Sequence, residues 1–127
     1  MNRLIIILAA TMLALFFSSQ INASDSPGDM DPGGVRSMAE AIKHAETAKT
    51  HKAHAEHIHE HAKESLKYVK KAEVEAYEHG NTTGKEHITE SIQHLVEAIE
   101  HAEMGHARIA GAHVEDALVE MYQFMNQ

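Results

Sequence analysis

Apolar residues recur along this chain at helical spacing, in four separate stripes. Val35, Met38, Ile42 and Ala45 form the first. Continued by sevens, that stripe reaches Lys49 and Glu56, which are polar. A new stripe runs through Ala55, Ile58, Ala62, Leu66, Val69 and Ala76, one residue out of register with the first. A slip of this kind requires a break in the helix, expected between Thr50 and Ala53. Ile88, Ile92, Leu95, Ile99 and Ala102 make a third stripe. Ala107, Ala110, Val114, Leu118, Met121 and Met125 make a fourth, again out of register, with Gly105 at the slip. Between the second and third lies Gly80-Asn81-Thr82-Thr83-Gly84, a loop in which Gly80 suits the residue just past a helix end. Thr83 followed by Glu86 has the spacing of a capping box. Strand alternation is missing from the sequence, and Ala, Glu, Lys, His and Leu, most of them helix formers, dominate. The pattern predicts helices over about 35–50, 53–79, 84–104 and 106–125. Short connections favour antiparallel neighbours, so the expected fold is an all-α, up-down-up-down four-helix bundle.

An internal repeat refines that expectation. Glu40-Ala41-Ile42-Lys43-His44-Ala45-Glu46 recurs as Glu97-Ala98-Ile99-Glu100-His101-Ala102-Glu103, changed at one position. His54-Ala55 with His61 recurs as His106-Ala107 with His113. The bundle therefore reads as a duplicated helical hairpin.

The 127 residues make at most one domain, and the first 23 read as something else. Arg3, the apolar run Leu4 to Phe17 and the small and polar residues up to Ala23 have the layout of a secretory signal. The run is too short to span a bilayer, which takes ~20 residues. Residues 24–34, SDSPGDMDPGG, carry both prolines and no periodic apolar residue, and read as a flexible lead-in to a bundle over 35–127. Without Arg3 the remaining chain holds 10 basic against 19 acidic side chains, a net charge of −9 with neutral histidine. That balance argues against nucleic acid and anionic membranes as partners. Cysteine is absent, which removes disulfides, thiolate metal sites and covalent haem. A monomer is the expected state, exported to the periplasm.

Histidine changes the picture. All twelve follow the signal segment, and they keep the helix repeat. His44 and His51 are seven apart, as are His54 and His61, then His87, His94 and His101, then His106 and His113. At ~100° per residue each set shares one side of its helix. His44, His51, His87, His94 and His101 face away from their stripes and His57, His61 and His113 sit on the flanks or outside, so the histidines read mainly as outward residues. His51, His54, His57, His59 and His61 fall within eleven residues, with His59 nearer the stripe than the others. His79, beside Gly80, reads as a helix cap. Glu97 lies three residues after His94 and four before His101, and Glu64 lies three after His61. Side chains three or four apart on a helix are neighbours, so such imidazole–carboxylate sets can clamp a divalent transition ion across one turn. Imidazole suits Cu(II), Ni(II) and Zn(II), with Cu(II) first in the usual affinity order. Met38, Met121 and Met125 sit on apolar stripes and read as core rather than as thioether ligands.

The order EAIKHAE (40–46), EHAKESL (60–66), Gly80-Asn81-Thr82 and IQHLVEAIEHAEMGH (92–106) resembles the periplasmic small metal-binding proteins. The resemblance runs from Val35 to about Met121. It implies a helical bundle in the periplasm that binds several copper ions and other divalent metals, for scavenging, storage or tolerance. Its matching ligand positions are His44, His61, His94, His101, His106 and His113. The chain departs from the pattern in a first interhelical turn without glycine, and in Tyr68 and Tyr122, which stand where histidines of the heptad run are expected. The competing reading is a pH-responsive interaction protein or acid-stress chaperone, because twelve imidazoles titrating near pH ~6.5 would swing the net charge in mild acid. Haem ligation is a third reading, but it needs inward ligands. No nucleophile–base arrangement, phosphate loop or HExxH motif is legible, so the chain does not read as an enzyme.

Overall fold

The computed structural model describes residues 33–127. The predicted signal segment, and the lead-in as far as residue 32, lie outside the described residues. Four helices follow: α1 (Val35–Thr50), α2 (Ala55–Glu78), α3 (Lys85–Glu103) and α4 (Ala107–Met125). Each end falls within two residues of the position expected from periodicity, and the described residues contain no strand. Sequence neighbours pack against each other, and α4 returns against α1, which closes the bundle. None of these helices is long and apolar enough to cross a membrane.

Two of the three turns are built by glycine. At the end of α2 the Gly80 amide donates to the Tyr77 carbonyl and the Asn81 amide to the Ala76 carbonyl, with Gly80 at a φ of 68°. At the end of α3 the Gly105 amide donates to Ala102 and the His106 amide to His101, with Gly105 at a φ of 76°. Both are the paired bonds of a Schellman motif, which satisfies carbonyls that would otherwise lack a partner. The first turn does without glycine. His51 and His54 amides donate to the Ala48 and His51 carbonyls, and His54 serves as the N-cap residue of α2.

The capping box expected from Thr83 and Glu86 does not form. The N-cap residue of α3 is Gly84, with no side-chain cap bond, and its amide reaches Asn81 Oδ1 at 3.4 Å. The Phe124 ring of α4 lies over this glycine, so close that a Cβ there would meet it at 2.4 Å. Tertiary packing overrides the local capping pattern and sets where the helix starts. Gly33 and Gly34, placed by sequence at the end of the lead-in, are buried; Gly34 sits against the backbone of Ala72.

The core also differs in its rotation. Its large members are Met38, Ile58, Val69, Ile88, Leu95, Val114, Leu118, Met121 and Phe124, but alanine and serine fill the positions between them. Ser37, Ala41, Ala45 and Ala48 are buried in α1, Ser65 and Ala72 in α2, Ser91 and Ala98 in α3, Ala110 and Ala117 in α4. Ile42, Leu66, Ile92 and Ile99, expected in the stripes, are only half-buried and pack against the core edge. Small side chains let helices approach closely. The Ser65 hydroxyl donates to the Ala41 carbonyl across α2 and α1 at 2.8 Å. Each inward face is thus turned toward its small residues, and this rotation carries the histidines with it.

The apolar core is complete without any histidine, so the chelator-treated protein is expected to show the full helical circular-dichroism spectrum. A mostly disordered spectrum that recovers only with added ion would mean that metal drives folding. Gly84→Ala is expected to lower stability by roughly 1–3 kcal/mol, the usual scale of an overpacked site, in denaturant unfolding.

Candidate metal centres

The rotation puts the polar heptad positions in the grooves between helices instead of on outward faces. His44 follows Ala41 by three residues and His51 follows Ala48 by three; His61 precedes Ser65 by four. His94 sits between Ser91 and Ala98, and His113 between Ala110 and Ala117. The outward placement read from periodicity is therefore corrected. His44, His51, His61, His94, His101 and His113 are half-buried, each beside a small residue that brings the neighbouring helix close.

Facing rows meet within each hairpin. In the α1/α2 groove His51 stacks on His61 with ring centroids 5.7 Å apart, and meets the edge of His57 at 4.9 Å. His54 lies 5.5 Å from His57. Deeper along the groove His44 lies 6.3 Å from His61 and stacks on Tyr68 at 5.5 Å, so Tyr68 extends the ladder that the imidazoles begin.

In the α3/α4 groove His101 stacks on His113 at 5.4 Å, and His94 lies 6.0 Å from His113. The Schellman turn at Gly105 folds His106 back over the end of α3, where its Nδ1 is 3.4 Å from that of His101. Glu97 Oε2 lies 3.0 Å from His113 Nδ1 and 3.5 Å from His94 Nδ1. Neither contact is aligned for a hydrogen bond, so both nitrogens are buried with no hydrogen-bond partner. Asp116 completes the group: one ligand atom from each of His94, His113 and Asp116 lies within 4.8 Å of the others. Two nitrogens from facing helices and a carboxylate oxygen can close on one divalent ion, with Glu97 beside them. Buried polar atoms without partners are unfavourable in a stable fold, and coordination would supply the missing partner.

Other predicted positions stand apart from these groups. His87 Nδ1 donates to Glu120 Oε2 at 2.8 Å, farther along the α3/α4 groove. That pairing fixes the tautomer and leaves Nε2 as the basic nitrogen. His59 Nε2 donates to Glu103 across α2 and α3. Glu64 is turned to Lys67 at 3.5 Å. His79 caps α2 through the Glu75 carbonyl. Asp116 escaped the sequence reading, although it follows His113 by the same three residues that join His94 to Glu97. Glu120 and Glu103 escaped it because their partners are on other helices, a relation that spacing along one helix cannot express.

Beside the His59–Glu103 bond, two further contacts tie the hairpins to each other. Lys52 Nζ meets Glu115 Oε1 at 2.6 Å, which holds that carboxyl below the usual range. The Tyr122 hydroxyl donates to Glu46 at 2.5 Å, a bond that raises the phenol pKa above its ordinary value.

A helical bundle with facing imidazoles and carboxylates in its grooves defines a class: a small protein shaped to hold transition-metal ions between helices. The family model described as small metal-binding protein matches residues 1–124. The chain belongs to the small metal-binding protein family, and metal binding is the general property that membership carries. No match was found among individually curated proteins.

Because every ring contact among the described residues lies within one hairpin, the two grooves should behave independently. Replacing His57 and His61 with Ala is expected to remove about one ion in mass spectrometry of the loaded protein while the α3/α4 sites keep theirs. Loss of all binding would indicate a single cooperative centre.

Proposed function

We propose that this protein is exported to the periplasm and binds several divalent transition-metal ions, copper before nickel or zinc, in metal scavenging, storage or tolerance. The observation that carries the reading is the α3/α4 group, in which His94 and His113 hold partnerless buried nitrogens beside Asp116 and Glu97. Copper first follows from the donor set, since imidazole nitrogen ranks Cu(II) above the neighbouring divalent ions. The acidic balance of the chain favours cations as cargo. Export rests on the signal-like segment 1–23, and the absence of cysteine agrees with a site built without thiolates. The role is binding rather than catalysis, in keeping with the family description.

Within this reading the first ligand set is His94, His113 and Asp116, supported by Glu97. His101 and His106 supply a second pair at the turn, and His44, His51, His54, His57 and His61 supply the α1/α2 array. His87 is oriented by Glu120, and His59 and Glu64 are marginal. The chain would act as a monomer, with metal ions as its partners.

Protons and metal compete for the same imidazole nitrogen. Copper affinity is therefore expected to fall steeply between about pH 7 and pH 5, where free imidazole takes up its proton, while helicity stays nearly constant. A pH-responsive chaperone would behave differently. Uptake of a dye for apolar surface in mild acid, with no appreciable copper affinity at neutral pH, would overturn the proposal.

A further inference from the structure

The two hairpins repeat one another in sequence but not in the chemistry of their grooves. Resting on the metal-binding reading above, we infer that they hold two different classes of site: a nitrogen-only copper site in α1/α2 and a mixed imidazole–carboxylate site in α3/α4 that accepts zinc.

The difference lies in what the repeated carboxylates face. Glu40 in α1 corresponds to Glu97 in α3, and the single change within the repeated heptapeptide sets Lys43 against Glu100. Lys43 Nζ lies 3.8 Å from Glu40 Oε2. With Glu100 in that place, Glu97 has no such lysine and faces His94 and His113 instead. The second pair of helices repeats the device. Glu64 corresponds to Asp116, and Lys67 to Val119. Lys67 Nζ is 3.5 Å from Glu64 Oε2, whereas Asp116 joins the ligand group. In the first hairpin an exposed lysine sits beside each carboxylate whose counterpart in the second hairpin lies near imidazoles.

Imidazoles are distributed the opposite way. His57 corresponds to Ile109, and the first hairpin gathers four imidazoles at its turn, His51, His54, His57 and His61, where the second has His101, His106 and His113. His51, His54, His57 and His61 form a continuous run of ring contacts there, beside an open hollow lined by Thr50 and Ala53. In the second hairpin His94 faces His113 as His44 faces His61 in the first, but it also lies next to Glu97 and joins Asp116. Copper(II) gains most from nitrogen donors in a square arrangement, while zinc(II) is satisfied by a tetrahedral mixture of nitrogen and oxygen. Given both ions, the nitrogen-only groove takes copper and the mixed groove takes zinc.

The test uses the full chain at about pH 7.5, where imidazole is mostly neutral, with one equivalent each of Cu(II) and Zn(II). Pulsed electron paramagnetic resonance reads the copper donors, and calorimetric titration reads zinc. His94→Gln with His113→Gln is expected to leave the nitrogen-only copper signal intact and to weaken zinc binding roughly tenfold or more, the scale on which altered ligand surroundings change affinity. His51→Gln with His57→Gln is expected to abolish that copper signal and leave zinc binding unchanged. Copper and zinc responding alike to both pairs, or copper lost only with His94 and His113, would overturn the division. In the His94→Gln, His113→Gln background, Lys43→Glu with Lys67→Val frees Glu40 and Glu64 and is expected to restore zinc binding. Zinc affinity unmoved by that change would also overturn it. An unaltered chain that binds neither ion at neutral pH would instead overturn the metal-binding reading itself.

Discussion

Alanine and serine at the centres of the helix contacts govern everything else in this protein. A bundle can be held by large interlocking side chains or by small ones that let backbones approach, and here alanine and serine take most of the buried positions. The bond from the Ser65 hydroxyl to the Ala41 carbonyl measures how near α1 and α2 come. Ala98 in α3, with Ala110 and Ala117 in α4, allows the same in the other hairpin. A helix that turns its small residues inward must carry the positions three and four residues away into the adjoining groove. Those positions are the histidines. Stability and site are therefore one design: Ala41 and Ser65 bring His44 to His61, and Ala98 and Ala110 bring His94 and His101 to His113.

The burial that results is partial, and that degree suits the chemistry. A fully buried imidazole would demand a partner at all times, and a fully exposed one would be held by nothing. In the grooves the rings are packed by their neighbours yet keep an open side. Fixing a ligand's orientation before the ion arrives lowers the ordering entropy of binding. The turns help in the same way. The Schellman motif at Gly105 fixes the backbone that places His106 beside His101, and the turn after α1 is made by His51 and His54 themselves. The candidate ligands and the chain reversals share the same residues.

Duplication explains why there are two grooves, and divergence explains why they differ. The interhelical ring contacts stay inside each hairpin, while the bonds between hairpins are of other kinds: Lys52 with Glu115, Tyr122 with Glu46, His59 with Glu103. Contacts of this sort join the halves without requiring them to share a ligand. Each half is free to change its donor set. Lys43 and Lys67, which stand where the repeat has Glu100 and Val119, are exposed, so changes there leave the core positions untouched.

Much of this was legible in the sequence. Register slips at Thr50 to Ala53 and at Gly105 marked helix boundaries to within two residues, because a helix cannot change the phase of its apolar stripe without a break. Gly80 announced its turn because its positive φ is a local property of the backbone. The heptad spacing of His87, His94 and His101 showed that they share a face. What could not be read was which way that face points. Hydrophobicity alone weights Ile92 and Ile99 above Ser91 and Ala98, and so centres the stripe on the wrong side; the shape of the partner helix decides in favour of the small residues. The Thr83–Glu86 cap failed for a related reason, since Phe124 occupies the space over Gly84. Spacing pairs His94 with Glu97 within one helix, but only the packing of α4 on α3 brings His113 and Asp116 to the same point. Local sequence determined the elements and their donors, whereas contact between helices decided which donors meet.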